Sequence, residues 1–198
     1  MGHTIIVSAA ENPTEKDFTM PRIAPVTTPE PDSPLAATFA QIKAKVGKVP
    51  KAFATIAQSP AAISGYLALS SALQQGRLTA RQRETLALAI SQVNECQYCL
   101  SVHTVTGKMA GLTPDEIRQA RAAQIKDPLE NAIVAFAIKA MQQRGMVSDE
   151  ELRAAREAGV DDGLLIEITA NIALMTVTNY ANRLADPEID FPVVQTQL

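Results

Sequence analysis

Along this chain the large apolar residues recur at intervals of three and four, and not at alternate positions. That is the period of helices and not of strands. Ile133, Phe136, Ala137, Ala140 and Met141 make one stripe; Leu165, Ile168, Ile172 and Met175 make another. The stretches 85–90 and 164–177 are apolar nearly all round and are expected at the centre. Punctuation between the stripes is helical too. Ser33-Pro34 and Ser59-Pro60 each set a capping hydroxyl before a proline at the first helical position. Thr79 with Gln82, Thr113 with Glu116 and Ser148 with Glu151 fit the capping box, in which residues three apart satisfy each other's unpaired amides. Gly76, Gly111, Gly145 and Gly159 sit where helices should stop. The pattern predicts helices at 34–46, 60–75, 79–93, 95–110, 114–123, 128–144, 149–158 and 162–184. The expected fold class is all-α.

Residues 1–34 break this pattern with Pro13, Pro21, Pro25, Pro29, Pro31 and Pro34 and few large apolar residues. They read as an extended arm or leader. Met20 resembles a start of its own, so 1–19 are either an extension from an upstream start or a mobile tail; His3 lies there. A single helical domain is expected over 35–192, with a short tail over 193–198. A faint internal repeat pairs Ala72–Thr79 with Ala140–Ser148, each a helix end followed by a capped start. Duplication and chance recurrence of helix punctuation are both open.

The chain has 198 residues, enough for one domain with a proper core. It is 46% hydrophobic but only 4% aromatic and has no Trp, so small aliphatic side chains must fill closely packed helices. A net charge of −3 without a basic stripe argues against nucleic-acid binding. No uninterrupted apolar run approaches the roughly 18 residues of a membrane span, and no signal-peptide pattern is visible. The expected location is cytoplasmic, away from the membrane, where a close cysteine pair points to catalysis or metal binding.

Both cysteines and the only histidine beyond His3 lie between Asn94 and His103. At roughly 100° per residue, Cys96, Cys99 and His103 fall within an arc of about 60° on a helix. Tyr98, Val102, Val105 and Met109 fill a neighbouring apolar arc. With Asn94 as N-cap, both cysteines would sit near the positive end of a helix dipole, which favours a thiolate. His103, one turn beyond Cys99, can take the thiol proton or stabilise the thiolate. A thiolate attacks a peroxide oxygen to give a sulfenic acid, and a second thiol condenses with it to a disulfide. If the helices 79–93 and 95–110 pack together, Glu84 can orient His103 and receive protons.

Glu84, Cys96, Cys99 and His103, separated by eleven, two and three residues, resemble the proton-relay signature of the AhpD-like alkylhydroperoxidases. These belong to the wider carboxymuconolactone decarboxylase family. The segments Asn179–Arg183 and Asp190–Pro192 are similar to its peroxidase-related branch. The resemblance implies an all-helical, AhpD-like homo-oligomer (dimer, trimer or hexamer) that reduces hydroperoxides through the cysteine pair. It implies Glu84 and His103 as the relay, Cys99 as the activated thiol, and Cys96 as the more exposed one, attacked by a dithiol or thioredoxin-like reductant. No cofactor and no metal is called for. Tyr98 stands where the best-known members carry a histidine, and the family's decarboxylases typically lack the cysteine pair.

Alternatives remain at this stage. The cysteines could be plain core residues, or Cys96, Cys99, His103 and Glu84 could hold zinc, although a helical Cys-x-x-Cys without a second ligand pair is a poor structural site. Tyr98 reads as wall or core, and Glu95 as a complement to the helix dipole. Two functional classes compete: a thiol peroxidase that cycles, and a redox sensor or stress-response protein that uses the same disulfide as a switch. A composition this apolar leaves surface for self-association, and the arm and the 186–198 tail could wrap a neighbouring subunit.

Overall fold

In the computed structural model, residues 20–198 are described and form nine helices without a strand. These are α1 (Pro34–Val46), α2 (Lys51–Ile56), α3 (Pro60–Leu73), α4 (Ala80–Val93), α5 (Gln97–Met109), α6 (Pro114–Ala122), α7 (Pro128–Gln142), α8 (Asp149–Glu157) and α9 (Asp162–Ala185). The expected caps form. Ser33 and Ser59 accept amide hydrogen bonds ahead of their prolines, and Thr79, Thr113 and Ser148 close full capping boxes. Helix α2 escapes the periodicity because it has six residues and starts after Pro50 with no side-chain cap.

α4 is the hub. It packs against α5, α6, α7 and α9, and every residue from Thr85 to Ser91 is buried. Two side-chain clusters meet on it: one around Leu86, Ile90, Ile133, Phe136 and Ile168, the other around Leu88, Leu100, Leu112 and Ile117. α9 crosses the molecule against α2, α3, α4, α5 and α7. It is long and apolar enough to cross a membrane by length and composition alone, contrary to the expectation that no stretch is. Here it is a core helix with Asn171, Asn179 and Asn182 buried among its neighbours. The expectation that 164–177 lies at the centre fails on the outer face, where Ile166 and Val177 are exposed; Tyr180 and Leu184 continue that exposed face beyond the stretch.

The two half-repeats diverge at their glycines. Gly145 takes φ 82° to turn the chain after α7. Gly76 instead makes room for Glu167, whose carboxylate oxygens would lie within 3 Å of a Cβ there. That carboxylate accepts from the amides of Arg77 and Leu78 at 2.8 and 2.9 Å, tying the α3–α4 turn to α9.

The terminal segments are not free arms where described. Arg22 N donates to Ala185 O at 2.7 Å and Val26 N to Ala54 O at 2.9 Å, with Val26 packed beside Phe39 and Ile42. The expectations for 1–19 lie outside the described residues. The C-terminal segment lies along its own α5 instead of reaching away: Val194 N donates to Ser101 Oγ at 3.0 Å and Gln92 Nε2 to Thr196 O at 2.7 Å. Ser101 is a buried polar group that needs a partner, and Gln92 is half-buried.

Leu88 is fully buried at the α4–α5–α6 junction. Leu88→Ala is expected to lower unfolding free energy by about 2–5 kcal/mol at unchanged urea m-value. A loss below about 1 kcal/mol in the same titration would contradict α4 as the hub.

Candidate active site

The α4–α5 connection decides where the sulfurs sit. Asn94 ends α4 in a right-handed conformation and Glu95 turns back at φ 51°. Asn94 is therefore not the N-cap of α5; Cys96 is. The two-residue reversal consumes Asn94 and Glu95, and Glu95 pairs with Arg183 at 3.3 Å. Cys96 Sγ accepts the Cys99 amide at 3.3 Å, in the role usually filled by a serine or aspartate oxygen. The two sulfurs are joined as a disulfide, with Cα atoms 5.2 Å apart. A sulfur at the N-cap meets free amides and the positive end of the dipole, both of which favour a thiolate once the bond is reduced.

Both cysteines are buried, Cys96 at 1% and Cys99 at 3% exposure. The expectation that Cys96 is the more exposed is not met in this chain. Ile189 and Phe191 of the C-terminal segment pack over the pair. The two cysteines nonetheless border different spaces. Cys99 lines a cavity of about 300 Å³, with Phe53, Tyr66, Leu73, Val102 and Leu174 on its apolar walls. Cys96 lines a separate hollow bounded by Arg22, Arg183, Asp186 and Pro187.

Glu84 and His103 share the Cys99 cavity. Glu84 Oε2 lies 2.8 Å from His103 Nδ1 and accepts Thr106 Oγ1 at 2.5 Å. Burial disfavours the Glu84 carboxylate. The facing His103 ring, the bonds from His103 and Thr106 and the nearby Arg83 outweigh it, and the carboxyl is held below its ordinary value. An ionised carboxylate only accepts, so Nδ1 carries a proton towards it and Nε2 is the ring nitrogen left for proton exchange. Neither sulfur is hydrogen-bonded to His103 among the described residues; the side chain that reaches Cys99 Sγ is Asn182, at 3.3 Å. Gly107 lies in this seam, where a Cβ would press on Leu112 at 3.1 Å and make only ordinary contact, at 3.9 Å, with Glu84 Cβ. Sequence reasoning brought Glu84, Cys96, Cys99 and His103 together and missed Thr106, Gly107 and Asn182. The signal for Thr106 was its place one turn after His103; Asn182 had none beyond the motif around it.

Tyr98 closes the site. Its hydroxyl donates to Asp190 Oδ1 at 2.5 Å and accepts from Ala52 N at 3.1 Å, and its ring meets Phe191 edge-on. Burial, then the Asp190 carboxylate, raise its pKa far above the ordinary phenol value. Asp190 is also paired with Lys48 at 2.9 Å. Tyr98 thus pins the C-terminal segment over the cysteines, and no bond links it to His103. Opposite, burial and the charge of Glu84 push the Tyr66 phenol up to about 12. No group of three or more metal-ligating side chains converges among the described residues.

A carboxyl whose folded pKa is depressed contributes stability above its unfolded pKa of about 4.3 and loses it as pH falls through the folded value. The stability gap between wild type and Glu84→Gln is therefore expected to be largest near pH 6 and to shrink towards pH 3, read as urea midpoints at each pH. A gap that widens on acidification would contradict the ionised Glu84.

Comparison with known proteins bears on the family and the fold. Residues 60–143, from α3 to α7 and including all four site residues, match the carboxymuconolactone decarboxylase family. No curated protein matches the chain in sequence. Among solved structures, an AhpD-core, peroxidase-related protein from Ralstonia eutropha JMP134 superposes with a TM-score of 0.74 at 27% identity, covering 87% of this chain and 93% of that one. A peroxidase-related protein from Silicibacter sp. TM1040 gives 0.72 at 19% identity over 88% and 94%. The debrominase Bmp8, solved with 2,3,4-tribromopyrrole, gives 0.69 at 20% over 85% and 91%. With its all-helical fold and its Cys-x-x-Cys pair, this chain is similar to the AhpD-core proteins, and its residues 60–143 match the carboxymuconolactone decarboxylase family.

Proposed function

We propose that the protein is a thiol-dependent peroxidase that reduces alkyl hydroperoxides through Cys96 and Cys99, with Glu84 and His103 relaying protons. The observation that carries this reading is the Glu84–His103 hydrogen bond on the wall of the cavity that Cys99 lines. One fold serves several reactions, as the debrominase Bmp8 illustrates, so the assignment rests on these residues and not on the fold.

The Cys99 thiolate attacks the terminal oxygen of ROOH. An S–O bond forms, the O–O bond breaks, and the departing alkoxide takes a proton supplied by His103 backed by Glu84, leaving as ROH. Cys99 is then a sulfenic acid. The Cys96 thiolate attacks that sulfur, the S–S bond forms, and hydroxide leaves as water after protonation. A dithiol or thioredoxin-like reductant returns two electrons by exchange at the disulfide, entering through the hollow that Cys96 lines once the C-terminal segment yields. A reducing compartment such as the cytoplasm supplies such a donor. The exposed stripe of Ile166, Val177, Tyr180 and Leu184 on α9 supports self-association.

Cumene hydroperoxide with dithiothreitol tests the reading. Wild type is expected to cycle, Cys99→Ser to fall to background, and Glu84→Gln to lose roughly 10²–10⁴-fold in turnover with its helical content intact. A Cys99→Ser protein that cycles at the wild-type rate would refute the assignment. A wild type that oxidises once and cannot be turned over by any dithiol would instead be the redox sensor.

A further inference from the structure

The segment Asn179–Arg183 on α9 clamps the turn that presents the cysteines. Asn179 is fully buried; its Oδ1 accepts Asn94 Nδ2 at 2.9 Å, and its Nδ2 reaches Ser91 Oγ at 3.5 Å. Arg183 donates to the Asn94 carbonyl and pairs with Glu95. Asn182 lies on the same inner side, 5% exposed, and borders both the Cys99 cavity and the Cys96 hollow. Its Nδ2 donates to Cys99 Sγ at 3.3 Å, while its buried Oδ1 has no partner among the described residues. A buried amide oxygen left unpaired is rare and calls for a reason.

We propose that Asn182 is the positioning residue for the Cys99 sulfur, holding it towards the Glu84–His103 cavity and favouring its thiolate. The inference rests on Cys99 being the attacking thiol. A disulfide sulfur is a poor acceptor, so the bond to Nδ2 is at its weakest in the oxidised state. Reduction turns the same sulfur into a strong, charged acceptor. The unpaired Oδ1 then has a use as well: turning the amide about its terminal torsion lets Oδ1 accept from a Cys99 S–H before ionisation. The S–H is a weak donor and the thiolate a strong acceptor, so the net effect favours ionisation. The other titratable groups on this cavity are Arg83 and Glu84 of α4, Tyr66 of α3, and Tyr98 and His103 of α5, with Asp190 behind Tyr98. None of these is hydrogen-bonded to the sulfur among the described residues, which leaves Asn182 as its neutral donor.

The test uses a Cys96→Ser background, in which the serine keeps the N-cap and Cys99 is the sole thiol. Its ionisation is followed by ultraviolet thiolate absorbance against pH. Asn182→Leu is expected to raise the midpoint by about one pH unit, a roughly tenfold loss of thiolate below the midpoint. Asn182→Asp, close to isosteric, is expected to raise it further because a second negative charge opposes the thiolate; it also keeps the test open should the leucine variant not fold. A midpoint unmoved in a folded variant, with only a lower Tm, would overturn the proposal and leave Asn182 a packing residue. The readout needs no peroxide. A shifted midpoint in a protein without hydroperoxide turnover would sink the peroxidase reading alone, and a fixed midpoint with normal turnover would sink the role of Asn182 alone.

Discussion

Glu84 meets His103 across the seam between α4 and α5, consecutive helices that pack against each other. Placing a carboxylate in that seam costs solvation, and a lone buried charge would neutralise itself. Two donors from one face of α5, His103 and Thr106, converge on the same oxygen and keep it ionised. The consequence reaches the ring. An ionised acceptor at Nδ1 fixes the tautomer and frees Nε2 for proton transfer. The site's chemistry therefore follows from the packing of α5 on α4, which the buried run of α4 holds in place.

The second constraint is coverage. A vicinal disulfide across one helical turn closes too short a loop to staple the fold, and it would be open to solvent on a bare helix. Here Tyr98 recruits Asp190, Asp190 is held by Lys48, and Phe191 and Ile189 lie on the cysteines. Burial holds the Asp190 carboxyl up, but the Tyr98 hydroxyl and Lys48 outweigh it and keep it ionised. The result is an apolar chamber on the Cys99 side and a more polar hollow on the Cys96 side. The tyrosine between the cysteines acts as an anchor for this cover.

Much of this was legible in the residues, and what was not has a common cause. Caps at Ser33, Ser59, Thr79, Thr113 and Ser148 are local hydrogen bonds, so the chain announces them within four residues. Glu84 and His103 were paired correctly because their helices are consecutive and joined by a short turn. Asn94 as N-cap was wrong by two residues, since the positive φ of Glu95 is not encoded by a glycine. Asn182 was visible only within the Asn179–Arg183 segment and without a role: eighty-three residues separate it from Cys99, and an asparagine on a long apolar helix carries no chemical signature alone. The exposed side of α9 was missed for the opposite reason, since its outward residues are as apolar as its inward ones.

Two electrons passing from this cysteine pair to a hydroperoxide bond inside the Glu84–His103 cavity would leave a fixed ratio of products. Counting products in a single turnover tests it most directly. The fully reduced protein is mixed with an excess of an alkyl hydroperoxide in the absence of any reductant, and free thiols and alcohol are quantified together. Both thiols are expected to disappear as one equivalent of alcohol forms, with the Cys96–Cys99 disulfide as the protein product. Thiols that persist, or that vanish with no alcohol formed, would contradict it.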